Sequence, residues 1–504
     1  MTEEGKLDRA LLGIATVVVL GTIMSILDTT IVNIAINHLS EDFDSPLPTI
    51  QWVATGYLLA LATVIPLTGW AADRFGTKRL YMTSLALFLA GSALSGMAWS
   101  AHSLIAFRVL QGLGGGMIMP AGMTILTQAA GPQRVGRIMS VVGAPMLLGP
   151  ILGPVLGGWL VDDVSWRWIF YVNVPIGAVA LVLAHRILKP DRPQPRHKLD
   201  VLGLLLLSPG LAALVYGLAE TGSHGGFDGA KEILPTLAGV ALVTAFVWHA
   251  LRTEEPLIDV RLFKRRTPAA SGITMALFAA AFFGAMLLLP LYYQVARGES
   301  ALHAGLLLIP QGVGAAIMMP IAGRIVDRTG AARIVLPGLV LTLIGFAFFT
   351  QVAADTPYLE LGIASFVAGL GIGATMMPTM AAAYQTLSHA EVSRATTAFN
   401  IVQRGFGALG VALMSVILAN QLADRLPGAA NAGQGLQAAQ SIPPAARERM
   451  APLVADAFAQ TYVWAFVLIA VAAIPALFLP RTKPALPQPP RERADEAVAV
   501  AIEV

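Results

Sequence analysis

Two stretches decide how this chain is read: GWAADRFGTKR at residues 69–79 and GRIVDRTGAAR at residues 323–333. Gly69, Asp73, Arg74, Gly76 and Arg79 of the first match Gly323, Asp327, Arg328, Gly330 and Arg333 of the second, at an offset of 254 residues. A second echo, GLGGG (112–116) against GLGIG (369–373), stands at an offset of 257. Two echoes at nearly one offset argue for a duplicated unit rather than chance.

What surrounds the echoes is apolar. Hydrophobic residues make up 56% of the 504 and charged residues 12%, against about 45–50% and about 25% in soluble domains. That is enough apolar sequence for roughly fourteen segments of ~20 residues, the length that crosses a bilayer. A soluble enzyme and a disordered chain are excluded. With no Cys, so are a disulfide scaffold, thiolate catalysis and Cys-ligated metal sites. The net charge of +3 reads as cytoplasmic loops rather than as a nucleic-acid surface.

We read fourteen spans. Six run from 10–37 to 166–187, two more are 199–219 and 232–251, and the last six run from 268–293 to 459–479. The first is too long an apolar run for a cleaved signal peptide. With the N-terminus inside, 25 of the 33 Lys and Arg fall in cytoplasmic segments and 6 outside, which puts both termini in the cytoplasm. Residues 1–188 form one six-helix bundle and 267–480 the other. Residues 189–266 hold the linker KPDRPQPRHK and an inserted helix pair, and 481–504 a cytoplasmic tail. Repeated helical bundles are the architecture of secondary transporters, with the substrate site between the halves.

The repeated loop is a candidate gating device. It packs Gly69, Asp73, Arg74, Gly76, Lys78 and Arg79 into a tight inside turn, answered by Asp327 and Arg328 in the second copy. One reading is positive-inside anchoring. The other is a latch, because a carboxylate at a helix N-terminus is favoured by ~0.3–1 kcal/mol, more if partly buried. Asp73 can then cap a neighbouring helix while Arg74 and Arg79 pair across the gap. Gly76 permits the turn, and the repetition favours the latch. Ala332 stands where the first copy has Lys78, so weaker gating is expected in the second half.

Asp28 is the only acid well inside a first-half span, and an intramembrane ionisable residue is a functional candidate by default. Arg108 is its expected partner. At 1.5 Å per residue Asp28 lies ~13 Å and Arg108 ~8 Å from the outer ends of their spans, so both sit in the outer half. Gln111 follows on the same face as Arg108. Burial favours the protonated acid and a guanidinium favours the carboxylate. Opposed, they poise Asp28 to gain and lose a proton. A structural ion pair is the alternative.

Asn33, Tyr57, Gln111, Phe282, Gln294, Gln311, Asn400, Gln403 and Arg404 are candidate cavity residues, with Arg404 near the midplane. In span five, Gly149, Pro150, Gly153, Pro154 and Gly157 form a four-residue repeat. It reads either as a small-residue packing face or as a sealed seam between the halves. GLGGG lies within a hydrophobic span and lacks the strand–turn–helix setting of a nucleotide loop. No Lys is followed by Ser or Thr, as an ATP-binding loop requires, which leaves an ion gradient as energy source. No catalytic residues and no metal ligands are assigned.

These residues resemble the major facilitator superfamily, in its fourteen-helix drug–proton antiporter branch (the EmrB/QacA type), over about residues 10–480. LDTTIVNIAI (27–36) is similar to that branch's first-helix signature and GWAADRFGTKR to the superfamily's loop signature. RVLQGLGGG (108–116) is similar to the helix-four signature and GPILGPVLGGWL (149–160) to the helix-five antiporter signature. The resemblance implies an all-α integral membrane protein of the major facilitator fold. It implies Asp28 as proton or cation acceptor, Arg108 as its partner, and Asp73, Arg74 and Gly76 as gating residues. The expected function is proton-coupled efflux of lipophilic, cationic compounds by alternating access, from a multi-pass monomer in a bacterial plasma membrane. Its partners are then small molecules, protons and membrane lipids, with no nucleic acid and no cofactor. Two alternatives stay open: export or flipping of a lipid or endogenous metabolite on the same fold, and an intramembrane enzyme.

Overall fold

In the computed structural model, which describes residues 8–32, 35–191, 198–224, 226, 229–388, 391–426 and 444–482, both copies of the loop motif take one shape. Gly76 and Gly330 sit at φ 88° and 93°, a left-handed conformation that glycine adopts without strain. Each stops one helix and lets the next start at once.

The described residues form helices and no strand. The first half runs α1 (Arg9–Ile31), α2 (Ile36–Asp42), α3 (Leu47–Val64), α4 (Leu67–Phe75), α5 (Thr77–Gly96), α6 (Ala101–Ala130), α7 (Val135–Asp163), α8 (Trp168–Tyr171) and α9 (Asn173–Ile187). An inserted hairpin follows, α10 (Val201–His224) and α11 (Ala230–Arg252). The second half runs α12 (Arg266–Leu291), α13 (Ala301–Leu306), α14 (Ile309–Thr329), α15 (Ala332–Phe349), α16 (Tyr358–Tyr384), α17 (Val392–Arg425) and α18 (Pro444–Ala476). Local chemistry sets several ends. Ser100 and Ser103 form a reciprocal capping box at the start of α6, satisfying backbone donors that the first turn leaves open. Ile65 and Pro66 separate α3 from α4, which is turned by 57°.

Among the described residues, eleven helices are long and apolar enough to cross a membrane, or twelve if the bent α3–α4 pair is one span. By this measure the fourteen spans read from the sequence are not all reached. One reason is α5, which opens on Thr77, Lys78 and Arg79 and carries hydroxyl side chains along its length. Large apolar side chains such as Leu205, Leu234, Ile273, Ile344 and Leu359 point outward. An apolar exterior of this extent marks a surface made for lipid rather than water.

The duplication is visible in the packing. In the first half α6 packs on α3 and α5, α1 on α7 and α9, and α5 on α9. In the second half α16 packs on α14 and α15, α12 on α17 and α18, and α15 on α18. The glycine echoes explain part of this. A Cβ on Gly114 would meet Phe88 N at 2.5 Å, and one on Gly373 would meet Ala315 O at 2.6 Å. Both sites therefore need a bare backbone for close helix approach. The halves meet where α7 lies along α14 and α16, and where α17 lies against α4 and α6. The hairpin flanks this seam: α10 packs on α3 from one half and α17 from the other.

Candidate functional site

Asp28 lies in the last turn of α1 and is fully buried, as is Arg108 of α6, at 0% and 1% exposure. Arg108 Nη1 donates to Asp28 Oδ2 at 2.6 Å. Gln111 Nε2 donates to Asp28 Oδ1 at 2.8 Å, and Asn173 Nδ2 donates to the same oxygen at 3.2 Å. Arg108 is held in turn by the Val53 carbonyl at 3.2 Å and Gln111 Oε1 at 2.6 Å. The Tyr57 ring lies 4.1 Å under its guanidinium carbon. A desolvated cation over an aromatic face gains about 2 kcal/mol. A buried ion pair is tolerable only when its remaining hydrogen-bonding capacity is met, and here residues of four helices of one bundle, α1, α3, α6 and α9, meet it.

Asn173 and Ser92 belong to this cluster and were not singled out from the sequence. Asn173 Nδ2 also donates to Ser92 Oγ at 3.1 Å, and Ser92 donates to Phe170 O at 2.9 Å. The available signal was a lone polar side chain in the apolar run YVNVPIG (171–177). Gln111, expected in the cavity wall, instead supports Asp28.

The two copies of the repeated loop reach across the seam in different ways. Asp327 is buried and crosses the seam to the start of α7. There it accepts from Gly136 N at 2.8 Å and Arg137 N at 3.1 Å, and from Gln385 Nε2 at 3.2 Å. Asp73 is a partner of Arg394 at the start of α17, with Arg394 Nε 3.4 Å from Asp73 Oδ2. Nearby, Ser393 Oγ donates to Gly69 O at 3.0 Å. The acid of the second copy is the more buried of the two, at 3% exposure against 24% for Asp73. Lys78 works inside the first half, donating to His185 O and Leu188 O at the end of α9. Asp191, also missed in the sequence, accepts from Thr77 N at 2.5 Å. Arg74, Arg79 and Arg328 are exposed and form no ion pair among the described residues, so the expected pairing of Arg74 and Arg79 across the gap is not found.

The repeat on α7 faces inward. A Cβ on Gly149 would strike Ile26 and one on Gly153 would strike Thr30, both on α1 of the same half. Other residues of α7 meet the second half, where α13, α14 and α16 pack on this helix. Gly136 faces Gly323 O, and Gly143 faces Met319 and Met377. Gly149 and Gly153 thus form a packing face within the bundle. Gly157 is buried, and the side chains of Pro150 and Pro154 lie outside the described residues, as does Asn33.

The other cavity candidates are spread along the seam and the second half. Arg404 on α17 is half-buried. Asn400 and Gln403 are buried beside it on α17, and Asn400 Nδ2 donates to Thr396 O at 2.9 Å. Gln294 and Gln311 are half-buried. Phe282 is in the core, stacked on Phe278 at 6.1 Å.

The sequence model of the Major Facilitator Superfamily matches residues 18–439. The chain belongs to the Major Facilitator Superfamily. It is a multi-pass membrane transporter rather than an enzyme. It is 44% identical over 494 residues to the multidrug resistance protein B homolog of Mycobacterium tuberculosis, covering 94% of this chain and 91% of that one. It is 30% identical over 406 residues to the multidrug export protein EmrB of Haemophilus influenzae, covering 80% and 79%. The superfamily fold is seen again in solved structures. The proton:xylose symporter XylE aligns with a TM-score of 0.59 at 15% identity, covering 92% of this chain and 94% of that one. The human organic anion transporter MFSD10 aligns at 0.58 and 16%, covering 92% and 100%.

Proposed function

We propose that this superfamily member exports lipophilic, cationic compounds in exchange for protons, by alternating access, as a fourteen-span monomer in a bacterial inner membrane with both termini cytoplasmic. The observation that carries the reading is the Asp28–Arg108 pair, sealed in the first bundle with the Tyr57 ring against the guanidinium. The names of the relatives, multidrug resistance and multidrug export proteins, support the cargo class.

The steps follow from the contacts. With Asp28 ionised, Arg108 is neutralised in place. A proton entering from outside discharges Asp28 and leaves Arg108 a buried charge without a counter-ion, a costly state. Arg108 then leans on Val53 O, Gln111 and the Tyr57 ring, and α3 and α6 shift with it. α6 passes the shift to α17 across the seam. Inward opening breaks Asp327 from α7 and Asp73 from Arg394, releases the proton and admits cargo. Outward return remakes both latches. The proton supplies ~2.3 kcal/mol per 100 mV and ~1.4 kcal/mol per pH unit, with no cofactor.

A second reading, export of a lipid or endogenous metabolite, is favoured by one observation: Arg404 is a half-buried cation on α17, a helix that lies against the first half. Reconstitution with an imposed pH gradient separates the two. Proton-driven ethidium movement supports drug antiport. Fluorescent-lipid movement without ethidium movement supports the alternative and overturns the first.

A further inference from the structure

The Asp28 site is furnished for a carboxylate. Arg108 Nη1, Gln111 Nε2 and Asn173 Nδ2 all donate to it. A protonated carboxyl carries an O–H, and a buried donor must find an acceptor. Gln111 Oε1 is already engaged by Arg108 at 2.6 Å. Within the cluster another acceptor stands close: Asn173 Oδ1, which is buried and has no hydrogen-bond partner. It belongs to the same carboxamide whose nitrogen holds Asp28.

We propose that the Asn173 carboxamide is a proton-linked positioning switch, donating through Nδ2 to the Asp28 carboxylate and turning about its Cβ–Cγ bond to accept, through Oδ1, the O–H of the protonated acid. This rests on the reading of Asp28 as the proton carrier. The chemistry balances simply. One proton from water adds to Asp28 Oδ1, no other covalent bond changes, and Oδ1–H···Oδ1 of Asn173 replaces Nδ2–H···Oδ1. Ser92 can follow, because its hydroxyl rotates freely. It accepts from Nδ2 now and can donate to Oδ1 afterwards, releasing Phe170 O. What Nδ2 gives up in the turn sets how readily the site takes its proton.

The titratable and charged groups facing Asp28 are Arg108 of α6 and Tyr57 of α3. Among the described residues, the other helices packed on α1 bring none against it. On α7, Arg137 and Asp163 lie at the two ends. On α8, Tyr171 packs on Gly96. On α9, His185 and Arg186 lie in the last turn. Asn173 and Gln111 therefore supply the uncharged polar contacts that respond to the proton.

The test is pH-difference infrared spectroscopy of the full chain in lipid, with Asn side-chain carbonyls labelled with carbon-13. The expected result has three parts. A carboxyl band appears on acidification and is absent from Asp28→Asn. A labelled carboxamide band moves with the same midpoint and is lost in Asn173→Leu. In Asn173→Leu the Asp28 band shifts to the higher wavenumber of an O–H without an acceptor, and Asn173→Ser, which can donate or accept, restores it. A carboxamide band that stays still while Asp28 titrates, or an Asp28 band unmoved by Asn173→Leu, overturns the switch and leaves the proton reading intact. Absence of any Asp28 band overturns both. If Asn173→Leu does not fold, the labelled wild-type protein decides alone.

Discussion

Asp327 accepts a hydrogen bond from the Gly136 backbone N–H at 2.8 Å, so an acid of the second half caps the first turn of a helix in the other half. The open N–H groups of a helix start favour a negative charge. The contact can exist only while the cytoplasmic ends of α7 and α14 are together. Replacing Asp327 with Ala should therefore favour the cytoplasm-open form. The loss of a cap is about 1–2 kcal/mol, or about a five- to thirtyfold change in the ratio of the two forms. Because the chain has no Cys, labelling of Ser140→Cys with a membrane-impermeant thiol reagent from the cytoplasmic side reads this directly.

Arg394→Ala removes the matching contact to Asp73. That pair is partly exposed, and such pairs contribute about 0–1 kcal/mol. We expect a smaller rise in labelling than for Asp327→Ala, and slower turnover with nearly unchanged cargo binding. Steady-state efflux against equilibrium binding separates the two effects.

Arg108→Leu should be the most destabilising single change at the site, because it leaves Asp28 buried without its counter-ion. Breaking a buried pair this way costs about 3–5 kcal/mol. Adding Asp28→Asn to Arg108→Leu should recover much of the thermal stability in detergent and none of the coupled transport.

The inserted hairpin offers a pH test outside the membrane. Burial pushes the Asp200 carboxyl up, but hydrogen bonds from Gly203 N, His249 and Leu257 N outweigh it and hold the group below its ordinary value. A depressed carboxyl contributes stability above the unfolded pKa and loses it as pH falls through the folded one. Asp200→Asn should therefore lower the apparent Tm at neutral pH, and the difference should fade only once pH drops below the ordinary carboxylate range. Thermal unfolding at a series of pH values checks the direction.

How much of this was legible in the sequence depends on the length scale of each contact. The repeat at Gly69 and Gly323 pointed to two like halves, because matched loops need no tertiary knowledge. Asp28 and Arg108 could be matched by depth, since helix rise converts residue number to distance. Facing directions were harder. A four-residue glycine spacing shows that α7 has a small face but not which neighbour takes it, and Gly149 and Gly153 turned out to meet α1 rather than the second half. The acid at Asp327 was visible, but its acceptance of backbone N–H groups 190 and 191 residues away was not. Asn173 was passed over because a single amide in an apolar run carries no periodicity.

The central claim is that the Asp28 carboxyl exchanges a proton for cargo as the two halves rock. The most direct measurement is the pH inside proteoliposomes when cargo is added, compared between wild type and Asp28→Asn. The account predicts cargo-driven proton movement in wild type, and in Asp28→Asn a correctly folded transporter that moves no protons with cargo. Proton movement of wild-type size in Asp28→Asn would contradict it.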